Sequence, residues 1–330
     1  MLDSVNIWLK ILVKQRLNTD LRIVKFSLFL CNIKLFHKHI LYPLKYSKII
    51  AGTMTWGNWG KKMSKKEMEA LMQHCISQGI TTFDHADIYG AYTTETDFGN
   101  ALKSSGIIRE DIQLISKCGI QYVCENRNNK VKHYNYSKDY IIWSIEESLK
   151  NLNTEYLDLL LLHRPSPLMD AEEIAEAITI LKKDGKIKDF GVSNFSASQM
   201  DMVGLRMDID VNQIEFSLTE HSAMLDGTLD YMKTCGILPM AWSPLGLVFR
   251  EDNEQTRRIH KQLGQLLDKY NATEDQLLLA WTLKHPAGII PVVGTTNKDR
   301  LKQAMEATKI NLELEDWFLI LVACQGHKVP

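Results

Sequence analysis

The chain has 330 residues, 45 % of them hydrophobic and 24 % charged, the proportions of a globular protein with one large core or two ordinary ones. Its 39 Lys and Arg balance 40 Asp and Glu, so no global charge calls for nucleic acid or an acidic surface as partner. Six cysteines without a Cys-x-x-Cys pair argue against a disulfide framework and for reduced thiols in a cytoplasmic protein.

The charge is uneven along the chain. Residues 1–46 hold eight Lys and Arg against Asp3 and Asp20, net +6, in an apolar stretch broken by lysine every few residues. No uninterrupted run reaches the ~18–20 residues of a membrane span, and no small-residue cleavage site follows. This segment reads as an N-terminal extension, either an added packing element or residues upstream of the natural start. A weak membrane-surface contact through it is the alternative.

From residue 47 onward short apolar runs alternate with amphipathic segments. IIAGTMTW (49–56) reads as the first strand. Ser64-x-x-Glu67 is a capping box, and Met68, Leu71, Met72, Cys75 and Ile76 follow at helical spacing until Gly79. ITTFDH (80–85) and IQLISKC (112–118) are the next strands. QYVCENRNNKVKHYNYS (121–137) is long and polar for a connecting loop and is expected to overhang a site. Ile141, Ile145, Leu149 and Leu152 then mark a helix, LDLLLLH (157–163) a strand, and Ile174, Ile178 and Leu181 a helix that stops at Lys182, Lys183 and Gly185. KDFGVS (188–193), VNQIEF (211–216) and LPMAWS (238–243) continue the strands. A helix starts at Thr273-x-x-Gln276, GIIPVVG (288–294) is the last strand, and Asn297 caps a helix carrying Leu301 and Met305.

Eight strand-helix units over about 280 residues fit a single-domain α/β fold, the (β/α)8 or TIM barrel, over residues 47–330. A doubly wound open sheet is the runner-up, but no Gly-x-Gly-x-x-Gly follows any of these strands. In such a barrel the active site lies at the carboxyl ends of the strands. Those ends carry Asp84, His85, Asp87 and Tyr89, then Lys117, His163, Ser193, Asn194, Gln213, Glu215, Trp242 and Ser243. Asp84, Tyr89, Lys117 and His163 make a coherent set. An ammonium beside a phenol lowers its pKa, a carboxylate fixes the ammonium, and an imidazole orients a substrate oxygen. Such a set protonates a carbonyl oxygen, and since no side chain delivers hydride, a nicotinamide cofactor is implied.

FDHADIYG, ISKCG, LLHRP, GVSNF, NQIEF and AWSPLG, in that order, resemble the successive signatures of the aldo-keto reductases over about residues 48–330. DHADIYG, HRP-x-PLMDA and the terminal VP are most similar to a bacterial oxidoreductase branch of that superfamily. The resemblance implies a (β/α)8 barrel that uses NADPH, with NADH less favoured, to reduce a small-molecule aldehyde or ketone to an alcohol. It places the catalytic tetrad on Asp84, Tyr89, Lys117 and His163, with Tyr89 as proton donor. It assigns Ser193, Asn194 and Gln213 to the nicotinamide carboxamide, Trp242 to stacking on the ring, and Ser243, Leu245 and Gly246 to the pyrophosphate loop. Gly294, Thr295, Lys298 and Arg300 fall where the family grips the adenosine 2′-phosphate, although here Val292 and Val293 replace the lysine and serine that usually follow the proline. The family's floor-closing hairpin has no match within residues 1–46. The resemblance also implies a monomer or weak oligomer.

Two other functions stay open at this level. Aldo-keto reductase-like barrels also serve as cofactor-sensing or channel-associated subunits, and a metal-dependent hydrolase would use Asp84, His85, Asp87 and His163 as ligands. The blander readings make His85 a supporting residue as readily as a pocket residue, Cys118 a packing thiol, and Glu215 a brace or a surface partner.

Overall fold

A computed structural model describes residues 45–330. In chain order the strands are β1 (Ile50–Gly52), β2 (Thr82–Asp84), β3 (Gln113–Cys118), β4 (Ile120–Gln121), β5 (His133–Tyr134), β6 (Leu157–Leu162), β7 (Ile187–Ser193), β8 (Val211–Glu215), β9 (Leu238–Trp242) and β10 (Ile290–Val293). Eight of them pair in parallel into a closed barrel in the order β1-β10-β9-β8-β7-β6-β3-β2. The remaining two, β4 and β5, form a separate antiparallel hairpin. This is the (β/α)8 barrel that the strand rhythm predicts.

The sequence explains the strands. All six residues of β6, LDLLLL, are buried, because one face fills the barrel and the other meets the helices. Ile50, Ile115, Leu159, Leu161, Val211, Met240, Ile290 and Val292 fill the interior, mostly bulky residues that interdigitate across the barrel. Local signals set the helix ends as expected. Ser64 Oγ accepts from Glu67 N while Glu67 Oε2 accepts from Ser64 N at 2.7 Å, so the capping box starts helix Lys65–Ser77. Thr273 and Gln276 cap Glu274–Leu283 reciprocally, and Asn297 caps Lys298–Ala307.

Two stretches depart from expectation. The first strand ends at Gly52 rather than 56, because Trp56 N donates to Thr53 O and Lys61 N to Thr55 O, closing turns. Trp56 is then fully buried against Phe83 and Phe98, at ring distances of 6.1 and 5.9 Å. The second stretch, 121–137, is not an open loop: Ile120 and Gln121 pair with Tyr134 and His133, so a hairpin ties both ends down.

Of the N-terminal extension, residues 1–44 lie outside the described residues. Lys45 and Tyr46 are described, and they belong with the barrel. Tyr46 packs on the interior cluster at the amino end of the strands, and its hydroxyl donates to Asp189 Oδ2 at 2.7 Å, alongside Lys45 Nζ. The same end buries Asp158, which accepts from Arg109 Nη2 at 2.8 Å, Lys188 Nζ at 3.1 Å and Leu114 N at 2.9 Å. Among the described residues no helix is long and apolar enough to cross a membrane.

Candidate active site

The parallel pairing of β2 with β3 sets Asp84 opposite Ile115, so Lys117, two residues on, faces the same way and reaches back over Asp84. Lys117 is buried, and Nζ sits 2.7 Å from both Asp84 oxygens, 2.7 Å from His85 O and 3.1 Å from Tyr89 Oη. Gln213 Nε2, from β8 across the barrel, donates to Asp84 Oδ1 at 2.9 Å. His163 follows β6 directly, with its ring edge-on to Tyr89 at 6.0 Å. The four residues of the expected tetrad thus converge at the carboxyl ends of the strands.

Their electrostatics differ from the sequence reading in one respect. Burial pulls Lys117 down, but Asp84 and Tyr89, by attraction and hydrogen bonding, outweigh it and leave the ammonium above its ordinary pKa. The expectation that Lys117 brings Tyr89 below its ordinary value is corrected. Burial raises the phenol first, Lys117 offsets only part of that, and the net shift is upward. Burial, then the charges of Lys117, Arg164 and Lys132, push His163 well below the usual imidazole range. At neutral pH the site therefore holds a protonated lysine, a protonated phenol and a neutral imidazole.

A strained turn positions the phenol, and nothing in the sequence beyond Gly90 announces it. Gly90, Ala91 and Tyr92 all adopt left-handed backbone, with φ of 61°, 57° and 69°. Left-handed backbone costs roughly 1–2 kcal/mol at each non-glycine residue, so the surroundings must hold it. The hairpin does so. Tyr92 Oη donates to Ile120 O at 3.1 Å and accepts from Tyr122 N at 2.9 Å, and Asn126 Nδ2 donates to Ala91 O at 2.8 Å. Above the phenol, Trp59 lies 6.3 Å from the Tyr89 ring and 5.6 Å from that of Tyr122.

The other ionisable residues of this region have separate work. His85 is fully buried, its Nδ1 2.8 Å from Thr53 Oγ1 and its ring against Phe98 at 4.3 Å. Asp87 accepts from Ser144 Oγ at 3.1 Å, and its own backbone N donates to Lys117 O. Both brace the carboxyl ends of the strands. Cys118 is buried, and burial holds its thiol well above the usual range, which fits packing. Glu215 is exposed and makes no ion pair within the described residues. Among the described residues no group of three or more His, Cys, Asp or Glu could hold a metal ion, and Asp84 and His85 are committed to Lys117 and Thr53.

Beside the tetrad a polar cradle runs along β7 to β9. Ser193 Oγ donates to Gln213 O at 2.8 Å, and Asn194, with φ of 59°, donates through Nδ2 to Ser193 Oγ at 2.8 Å. Trp242 Nε1 donates to Asn194 Oδ1 at 3.0 Å, which fixes the indole plane. Ser243 and Gly246 take left-handed backbone in the turn after β9, and a Cβ on Gly246 would stand 2.0 Å from Thr219 Oγ1. Leu245 is half-buried in that turn. Beyond β10, Thr55 Oγ1 donates to Gly294 O and Thr295 Oγ1 accepts from Asn297 N. Lys298 and Arg300 are exposed in the first turn of helix Lys298–Ala307. These residues fit a dinucleotide phosphate: an amide cradle next to the tetrad, a tight turn with approachable backbone, and exposed cations at a helix N-terminus.

Comparison with known proteins points the same way. The sequence profile of the aldo/keto reductase family matches residues 48–320. An uncharacterised oxidoreductase of Bacillus subtilis is 45 % identical over 293 residues, covering 87 % of this chain and 97 % of that protein. The 6-dehydroglucose reductase of Agrobacterium fabrum is 36 % identical over 291 residues, covering 87 % and 97 %. An aldo/keto reductase from Klebsiella pneumoniae, solved in complex with NADP and acetate, superposes with a TM-score of 0.69 at 25 % identity, over 82 % of this chain and 89 % of that one. With the profile spanning most of the chain and relatives well above 30 % identity along nearly their whole length, the chain belongs to the aldo/keto reductase family.

Proposed function

We propose that this oxidoreductase reduces aldehydes or ketones to alcohols at the expense of NADPH, with Tyr89 as proton donor and Asp84, Lys117 and His163 as its partners. The observation that carries this reading is the Lys117 ammonium, buried and shared between the Asp84 carboxylate and the Tyr89 phenol. A dihydronicotinamide supplies hydride when bound, and Ser193, Asn194, Gln213 and Trp242 would hold and orient its ring. The side-chain cradle offers both hydrogen-bond donors and acceptors for a carboxamide.

The chain's own residues account for the proton. A carbonyl oxygen lodged between Tyr89 Oη and the neutral His163 imidazole receives a hydrogen bond from the phenol. As negative charge builds on that oxygen, the phenolic proton transfers to it. The phenolate left behind is stabilised by Lys117 Nζ at 3.1 Å, while Asp84 keeps the ammonium from moving away. A phenol held above its ordinary pKa keeps its proton throughout the neutral range, which suits a donor.

NADPH is preferred to NADH because Lys298 and Arg300 lie exposed where a 2′-phosphate would sit. Relatives named for 6-dehydroglucose and for versiconal hemiacetal acetate differ widely in substrate, so carbonyl reduction is the element carried over. The test follows nicotinamide oxidation at 340 nm across a panel of aldehydes and ketones, with NADPH and NADH in parallel. Turnover of reactive aldehydes with NADPH, and slower turnover with NADH, is the expected result. Cofactor binding without turnover of any carbonyl would overturn the reductase reading.

A further inference from the structure

The tetrad uses His163 but leaves its neighbour Arg164 without a task, although Arg164 is the more conspicuous charge. Tyr136 clamps its peptide unit from both sides: the hydroxyl donates to Arg164 O at 2.5 Å and accepts from Arg164 N at 3.1 Å. That clamp needs Gly119, whose missing Cβ would lie 2.0 Å from the Tyr136 ring. The guanidinium lies 5.2 Å from the centre of the Trp242 ring. Among the described residues it makes no ion pair and donates no hydrogen bond through its side chain. Its charge acts on Tyr89, His163 and Glu215, yet Glu215 stays out of ion-pair range. Lys132, exposed in the hairpin, adds a second positive charge felt at His163.

A rigidly mounted, half-buried guanidinium with unused donors, next to the residues that would hold a carbonyl oxygen, is a site for an oxyanion. Trp59 and Tyr122 form an aromatic wall beside the Tyr89 ring. We propose that Arg164 selects the substrate: the protein takes aldehydes or ketones that carry an oxyanion, such as a carboxylate, phosphate or sulfonate, and Arg164 binds that group while the carbonyl lies at Tyr89. The inference rests on the reductase reading and adds the substrate class to it.

Benzaldehyde and 4-carboxybenzaldehyde differ by one carboxylate and serve as the pair, with NADPH saturating. Wild-type protein is expected to favour the carboxylated aldehyde in kcat/KM. In Arg164→Met that preference falls by about tenfold or more, chiefly through KM, and Arg164→Lys restores part of it. A fall of less than about tenfold in Arg164→Met, with both aldehydes losing alike, overturns the assignment and leaves the reductase reading standing. If wild-type protein reduces neither aldehyde nor any carbonyl in the panel, the reductase reading fails and takes the inference with it. Should Arg164→Met not fold, inhibition of wild-type protein decides: benzoate is expected to compete with 4-carboxybenzaldehyde at least about tenfold more tightly than benzamide, and equal inhibition overturns the proposal.

Discussion

The barrel buries charge at both ends, and the two ends treat it differently. At the floor, Asp158 accepts three hydrogen bonds, from Arg109, Lys188 and the backbone of Leu114, all of them parts of the scaffold. At the mouth, Lys117 donates to Asp84, His85 O and Tyr89, and the last of these is a phenol with a proton to give. Around it, among the described residues, His163 Nδ1, His85 Nε2 and Asp87 Oδ1 are buried without a hydrogen-bond partner. Buried polar groups are ordinarily satisfied, so a floor that saturates its charge is built for stability. A mouth that leaves polar groups open stores the cost of burial where chemistry is proposed to occur.

The sharpest way to break this contrast is Tyr89→Phe, which keeps the ring under Trp59 and removes only the hydroxyl on Lys117. Carbonyl reduction is expected to fall by about 10²–10⁴-fold, the range for loss of a positioned acid, while NADPH still quenches protein fluorescence. Undiminished turnover would remove the phenol from the mechanism. Next come two removals compared by urea unfolding. Lys117→Met strands the buried Asp84 carboxylate at a cost of about 3–5 kcal/mol, whereas Asp158→Asn costs less, because Arg109 keeps its bonds to Thr154 Oγ1, Ile112 O and Tyr156 O and Lys188 is half exposed. Only the first is expected to abolish turnover in the protein that remains folded. Equal loss of activity per folded molecule would mean that the two ends do not differ as described.

A smaller effect is expected at the outer edge of the mouth, where Lys298 and Arg300 are exposed. Charge-assisted hydrogen bonds to a phosphate are worth about 1.5–3 kcal/mol. Replacing either by Ala should weaken NADPH binding by roughly 10–100-fold and leave NADH binding nearly as it was. Isothermal titration of both cofactors checks this, and parallel losses would move the 2′-phosphate contact elsewhere.

The sequence was legible wherever a single local rule decides the outcome. Continuous burial of LDLLLL, the Ser64–Glu67 box and the end of helix Lys65–Ser77 ahead of Gly79 all follow from neighbouring residues, and so does the placing of polar groups at strand ends. The tetrad was legible because parallel strands bring their carboxyl ends together whatever lies between them in sequence. What stayed hidden depends on non-local contacts. The left-handed run at Gly90, Ala91 and Tyr92 exists because the hairpin from Ile120 to Tyr134 holds it, and alternation over two residues per strand is too short to announce that hairpin. The pKa of Tyr89 is hidden from the sequence for the same reason. A neighbouring charge can be read from motifs, whereas the depth of burial that outweighs it belongs to the folded barrel.

Asp87 tests what the open groups of the mouth cost. Burial first, and the nearby Glu95 second, push its carboxyl up to about 8, against about 3.9 in the unfolded chain. Between those values the folded protein holds a proton that the unfolded chain releases, so stability falls as pH rises and levels off above the folded value. His85, lowered to about 3, and His163 act in the opposite sense, since the unfolded chain takes up their protons first. That contribution ends once the unfolded imidazoles are neutral, above about pH 6.5. The interval from about pH 7 to 8 therefore belongs to the Asp87 carboxyl. It contributes a slope of at most about 1.4 kcal/mol per pH unit. Urea midpoints for wild-type protein should drop across this interval, and Asp87→Asn, which keeps a polar group for Ser144, should drop less. Equal slopes in the two proteins would mean that Asp87 is already ionised at neutral pH, and that the mouth buries its charge with no more penalty than the floor.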